Sequence, residues 1–471
     1  MKNKYRDLSK NVLLFSLNGF VPKILSFFLI PIYTGYLSTM EYGVSDLILT
    51  TVSLLVPIFT LDIQDAVMRF ALDKAYDKGD VFSVGFRIVL KGSIIVALGA
   101  LIISQFHIAG LRNEYLFFTV VLYIVTASNS VFSLFCRGID QVKVIAVSSI
   151  INSVIMLTSN ILFLIYFHWG LMGYLVANSL GAICSLLYMF LKARLYQYIH
   201  IHISKDIAHN MYVFSFPLIF SVIGWWINNA SDRYILSWMS GIAVSGIYAV
   251  SYKIPNILSM FQNVFAQAWS ISAIKEFDPN DTDGFIGKTY TSMNFGMVFF
   301  CSCIMIMNIP IATFLYSNDF FEAWKYVPPL LVSVVFNAMA LFIGSIFTAI
   351  KDTKTLSIST IVGATVNTIC NFIFIYFWGA YGAAIATLLG YGVTLVMRHK
   401  VLRKYIQMKV HWKRDIVGYV LLLIQMIVSM FGWNYIAIQV LILILIILQY
   451  KKETQTIIFL LKNGIKTLFQ K

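Results

Sequence analysis

The chain has 471 residues, 59% of them hydrophobic and only 12% charged, with a formal net charge of +14. So few charges exclude a water-facing globular surface. Runs of roughly 20 apolar residues, each long enough to cross a bilayer core of about 30 Å as a helix, recur along the whole length. The strict alternation of polarity that transmembrane strands need is absent. The basic residues sit between the apolar runs, which argues against nucleic acid as a partner.

Taken in chain order, the apolar runs between charged breaks predict fourteen spans: 9–37, 42–61, 83–106, 114–136, 144–167, 170–191, 210–237, 241–272, 289–316, 325–350, 355–378, 381–397, 415–432 and 434–450. The first opens near Ser9, amid Lys2, Lys4, Arg6 and Lys10, without a small-residue cleavage site, and reads as a retained helix. An even count places both termini on one side. Of the 35 Lys and Arg residues, Arg112 and Lys325 then fall outside and Lys23, Arg233 and Lys253 within spans, which leaves 30 at the inner face when the N-terminus is cytoplasmic. That asymmetry is what the positive-inside rule predicts. The five cysteines lie in or at the end of apolar segments without zinc-ligand or redox spacing, so they read as small apolar residues, and no metal or cofactor is expected.

An internal repeat follows from the motif Trp169-Gly170-Leu-Met-Gly173-Tyr-Leu-Val-Ala177-Asn-Ser-Leu-Gly181. It returns as Trp378-Gly379-Ala-Tyr-Gly382-Ala-Ala-Ile-Ala386-Thr-Leu-Leu-Gly390, and Lys143 and Asn160 correspond to Lys354 and Asn371. The offset spans six helices, an even number, so the copies share one orientation: a parallel repeat about an axis along the membrane normal. Close helix packing explains the glycines by themselves. The duplication points further, to a transporter. Residues 1–200 and 205–402 are the expected six-helix lobes, followed by spans 13 and 14 (410–450) and a basic cytoplasmic tail (451–471).

Polar residues recur at helical spacing on several spans. Span 8 carries Ser245, Tyr248, Tyr252, Asn256, Ser259, Asn263 and Gln267 on one face, span 2 Asp46, Thr50, Ser53, Pro57 and Gln64, and span 7 Ser221, Trp225, Asn228 and Asp232. Interhelical hydrogen bonding accounts for any single Ser or Thr; amides and aromatics repeated on several helices, Asn18 of span 1 among them, fit a hydrated cavity. A charge in the hydrocarbon core costs at least about 2.5 kcal/mol, so Lys23, Lys253 and Arg233 are not expected to face lipid. Lys23 and Lys253 are the deeper pair; Arg233, beside Asp232, reads equally as an ion-paired or snorkelling side chain. Cations lining a cavity imply an anionic ligand, with phosphate or pyrophosphate the natural candidate. The interleaved Tyr, Trp and Asn residues suit sugars.

The stretch from Asp232-Arg233 through Gly246 and Tyr248 to Lys253-Ile-Pro255 resembles helices 7 and 8 of bacterial polysaccharide-unit flippases. Ile30-Pro31-Ile-Tyr-Thr-Gly35, Glu41-Tyr42-Gly43 and Arg69-Phe70 look like their first two helices and the segment after them. The resemblance implies the all-α polytopic fold of the multidrug/oligosaccharidyl-lipid/polysaccharide exporter superfamily, with two six-helix lobes in a V around a central cavity. It implies alternating access that moves undecaprenyl-pyrophosphate-linked oligosaccharide units across the bacterial cytoplasmic membrane, and no enzymatic step. Expected partners are that glycan and membrane lipids, with a polysaccharide polymerase and other assembly proteins as further candidates. A drug or cation antiporter of the same superfamily is the rival, kept open by Asp46, Asp62, Asp65 and Asp232. A membrane polysaccharide polymerase is a more distant one, since no catalytic constellation is visible. No Gly-x-x-x-x-Gly-Lys-Ser/Thr phosphate loop occurs either.

Overall fold

The computed structural model describes residues 27–106, 112–408, 410–451 and 453–455; side chains of four residues in the seventh span, Ser221, Trp225, Asn228 and Asn229, are also outside the description. Among the described residues there are helices and no strands. In chain order these are α1 (Ile30–Tyr36), α2 (Thr39–Thr60), α3 (Ile63–Leu72), α4 (Lys78–Gln105), α5 (Asn113–Gly138), α6 (Val142–Asn160), α7 (Gly170–Lys192), α8 (Lys205–Ser240) and α9 (Ile242–Ser251). There follow α10 (Pro255–Lys275), α11 (Phe285–Ile306), α12 (Asn308–Leu315), α13 (Val327–Ala349), α14 (Thr353–Leu402), α15 (Trp412–Ser429) and α16 (Ile436–Gln449). Nine helices among the described residues are long and apolar enough to cross a membrane, so the chain is a multi-pass membrane protein.

The count differs from fourteen for physical reasons. Span 1 lies mostly outside the described residues. Span 8 breaks at Tyr252–Ile254, where Pro255 has no N–H to continue the ladder and starts a new helix, α10, instead. Spans 11 and 12 merge into α14, whose two halves meet at Gly379. Span 13 corresponds to α15, whose first turn carries Lys413, Arg414 and Asp415, and span 14 to the short α16, Ile436–Gln449. The inner segment 65–82 is not irregular throughout: α3, amphipathic, packs against α4 and α5 after a bend in which Leu61 and Asp62 are both left-handed.

Sequence-local signals set several helix starts. Ser38 and Glu41 form a reciprocal capping box at α2, with Glu41 Oε2 accepting from Ser38 N at 2.8 Å and Ser38 Oγ from Glu41 N at 3.2 Å. The other Glu41 oxygen accepts from Leu171 N at 3.3 Å, so one carboxylate ties together the starts of α2 and α7. Asp77 and Asp352 cap α4 and α14. Thr355 hydrogen bonds hold the Asp352 carboxyl below the usual carboxylate range.

The repeat is visible in backbone conformation. Gly170 and Gly379, the glycines of the two Trp-Gly pairs, both have positive φ, 54° and 55°, and Asp140 and Lys351 repeat the feature at 60° and 61° three residues before the paired lysines Lys143 and Lys354. Asn160 and Asn371 are both fully buried and each donates to the residue four back, to Met156 O and Asn367 Oδ1. The first copy has a π-helical turn, Ile161–Tyr166, where the second runs on as α-helix.

Two compact units divide the chain. One extends to Ser237 and includes Gly241–Gly246; the other takes Trp238–Ser240 and everything from Ile247 onward. Most of α8 therefore groups with α1–α7. In the second unit, α15 and α16 pack on each other and on α11, held by buried polar contacts: Ser302 Oγ donates to Gln425 Oε1 (2.7 Å), Tyr419 OH to Asn294 Oδ1 (2.7 Å) and Tyr450 OH to Asp415 Oδ1 (3.0 Å).

Candidate functional site

In the first unit the candidate-site cation among the described residues is Arg233 on α8. The span 2 stripe identified by its spacing turns toward it: Arg233 Nη1 lies 3.1 Å from Asp46 Oδ1 and 3.3 Å from Thr50 Oγ1. Trp226 Nε1 donates to Thr50 O and Ser53 Oγ, both at 3.1 Å, and Tyr234 OH lies 2.5 Å from Thr51 Oγ1. Ser245 Oγ donates to Arg233 O at 3.2 Å, bringing the start of α9 to the same place. About a fifth of the Arg233 side chain and 16% of that of Asp46 are exposed, and Asp46 Oδ2 is buried with no hydrogen-bond partner. Asp232 is buried and accepts the Arg233 backbone N–H through Oδ1 at 2.9 Å. Arg233 is thus ion-paired with Asp46 on the neighbouring helix. Gln64 leaves the stripe: it lies beyond the bend, in α3, and donates to Asp62 Oδ1.

In the second unit Lys253 sits half-buried in the turn between α9 and α10, its N–H donating to Val250 O at 2.9 Å. Aromatic hydroxyls surround the break. Tyr248 OH and Tyr252 OH are 3.1 Å apart, Tyr316 OH donates to Val250 O, and the Tyr326 ring lies 6.5 Å from that of Tyr248. The polar stripe here is graded: Tyr248 is fully buried, Tyr252 half-buried, and Asn256, Asn263 and Gln267 exposed. Amides left uncovered by protein on an otherwise apolar helix need water, since an unsatisfied polar group in lipid costs several kcal/mol. Asn18 and Lys23 lie outside the described residues, as do the side chains of Trp225 and Asn228.

Two further buried charges are Arg398, which the sequence does not single out, and Asp62, which it marks only in support of the antiporter rival. Arg398, read as an inner-end cation, is 4% exposed; Nε donates to Ser359 Oγ (3.0 Å), Nη1 to Ala340 O (2.6 Å) and Nη2 to Thr360 Oγ1 (2.9 Å), so it fastens α13 to both halves of α14. Its only signal was its place at the end of a long apolar run. Asp62, buried after α2, has an unpartnered Oδ2; burial and the nearby Asp65 push its carboxyl up to about 6, against the Gln64 hydrogen bond.

A family described as "Polysaccharide biosynthesis protein" matches residues 8–277, more than half of the chain and the segment that holds Asp46, Arg233 and Lys253. The chain belongs to this polysaccharide biosynthesis protein family. No curated protein matches it in sequence. Among solved structures, the family member is similar to the lipid II flippase MurJ in an inward closed conformation, with a TM-score of 0.71 and 16% identity over 95% of this chain and 100% of that one. It is also similar to an inward-facing multidrug resistance MATE transporter of the MOP superfamily, with a TM-score of 0.66 and 16% identity over 84% and 98% of the two chains. A MATE transporter of Vibrio cholerae, VcmN, gives 0.59 and 12% over 85% and 98%. At such identities the likeness establishes the fold alone: the chain shares the architecture of these solved proteins.

Proposed function

We propose that the protein is a flippase that carries undecaprenyl-pyrophosphate-linked oligosaccharide repeat units across the bacterial cytoplasmic membrane by alternating access. The observation that carries this reading is the family match over residues 8–277, which encloses both cation clusters on a flippase-like fold. A helix interrupted at mid-membrane is where transporters of other folds hold substrate, and Lys253 occupies such an interruption. Lys253 and Lys23 are assigned to the pyrophosphate, Arg233 to the same anion in competition with Asp46, and Tyr252, Asn256 and Asn263 to sugar hydroxyls and faces. The cation-exporter alternative is weakened by Asp46, whose carboxylate already serves Arg233.

The deciding experiment reconstitutes the protein in vesicles and offers fluorescent lipid-linked oligosaccharide beside a cationic drug. Flipping of the glycolipid supports the reading, and drug movement alone removes it. Within that assay Lys253→Ala is expected to lower apparent affinity roughly ten- to a hundredfold, the value of a charge-assisted hydrogen bond of about 1.5–3 kcal/mol, with normal membrane insertion. Normal export by both Lys23→Ala and Lys253→Ala would exclude the pyrophosphate assignment.

The lysine and arginine asymmetry supports cytoplasmic termini, with residues 316–324 outside and 398–414 inside. Single cysteines at the exposed positions Asp319 and Lys404, on a cysteine-free background, are expected to react with an impermeant maleimide from opposite sides. Labelling of position 319 only from the cytoplasm reverses the orientation.

A further inference from the structure

We propose that Asp77, Asp80 and His200 form a binding site for a divalent transition-metal ion of the Zn2+ class. The ligands come from two places far apart in sequence. Asp77 is the N-cap and Asp80 the third residue of α4, and His200 belongs to the segment that joins α7 to α8. Nδ1 of His200 lies 3.0 Å from Asp80 Oδ1 and 3.4 Å from Asp77 Oδ1, and the three ligand atoms fall within 4.8 Å of one another. Ligands held about 2.1 Å from one ion sit about 3.0–3.4 Å apart, the edge of an octahedron or tetrahedron. One imidazole and two carboxylates suit Zn2+, with water completing the shell, whereas Mg2+ and Ca2+ favour oxygen alone.

The imidazole is positioned from outside the cluster. The His200 N–H donates to Ser83 Oγ at 2.6 Å, its carbonyl accepts from Arg87 Nη2 at 3.1 Å, and Ser83 Oγ in turn donates to Tyr198 O at 3.0 Å. The ring lies against the Gly79 backbone so closely that a Cβ there would fall 2.2 Å from Cε1; only glycine leaves that space between the two aspartates. Asp80 spends its other oxygen on the Ser204 N–H, at 3.3 Å, which leaves Oδ1 facing the imidazole. Such outer contacts fix a ligand's direction before an ion arrives. A bound ion would clamp the connection between the sixth and seventh spans to the start of α4.

The same three groups without an ion make a histidine–carboxylate pair, so the test must separate the two. Full-length protein in detergent, without a polyhistidine tag and stripped by chelator, is titrated with ZnCl2 by calorimetry and by thermal unfolding. Expected are one ion per chain and a rise in unfolding midpoint reversed by chelator. Affinity should fall at least about tenfold in His200→Ala and in Asp77→Asn, which retains an oxygen for the Asp80 N–H. His202→Ala, an exposed neighbour, should bind as the parent does. No saturable binding, unchanged affinity in Asp77→Asn, or an equal loss in His202→Ala overturns the proposal. The flippase reading stands or falls separately.

Discussion

Asp46→Asn and Arg233→Ala are expected to move glycolipid affinity in opposite directions. The two groups form a 3.1 Å ion pair, and a guanidinium held by a carboxylate is only partly available to a phosphate. Removing the negative charge while keeping an oxygen for Nη1 leaves Arg233 in place and frees its charge, so Asp46→Asn should bind the pyrophosphate lipid several-fold more tightly. Arg233→Ala removes the cation and strands Asp46 in a half-buried position. A loss of roughly ten- to a hundredfold follows from a charge-assisted contact of about 1.5–3 kcal/mol. Stability gives the control. Breaking a fully buried pair costs about 3–5 kcal/mol, and this pair is partly exposed, so each single variant should lose less than that. The double variant should recover stability without recovering affinity. If both single variants lose affinity in proportion to their loss of unfolding midpoint, the pair is structural and Arg233 does not touch the anion.

Much of the architecture was legible because membrane helices obey simple length and polarity rules. The apolar runs marked almost every helix, and the repeat read from Trp169-Gly170 and Trp378-Gly379 reappears as paired positive-φ glycines. What composition could not reveal is what depends on tertiary partners. Arg233 stands next to Asp232 in sequence, yet a side chain on a helix faces residues three and four away, and its ion pair is with Asp46 on another helix. The break at Lys253 had a visible signal in Pro255, but apolar residues continue on both sides of it, so the run reads as one span. Arg398 looked like an ordinary inner-end charge because its acceptors, Ser359, Thr360 and the Ala340 carbonyl, are brought together only by packing. The His200 cluster was invisible for the same reason, its ligands being separated by most of a lobe.

Gly246→Leu is expected to abolish or severely reduce export while the protein still inserts. The first turns of α2 and α9 approach each other backbone to backbone. A Cβ on Gly246 would lie 2.1 Å from the Thr39 carbonyl oxygen and 2.8 Å from Gly43 N, and one on Gly43 would lie 2.3 Å from the Ile242 carbonyl oxygen. The atoms in the way are backbone, which cannot swing aside as a side-chain end can. A larger residue at either position must therefore force the two helix starts apart, at a cost of typically about 1–3 kcal/mol or more for overpacking. Small residues at facing positions are how membrane helices come this close, and the contact lies one turn from Asp46 and next to Ser245, which bonds the Arg233 carbonyl. Displacing α9 should thus disturb the cation site as well as the helix contact. Gly99→Leu on α4 supplies the comparison, because nothing lies within 4 Å of the Cβ position there. Vesicle flipping and unfolding midpoint, measured side by side, should show loss of both in Gly246→Leu and of neither in Gly99→Leu. Undiminished flipping by Gly246→Leu would mean that the α2–α9 approach plays no part in transport.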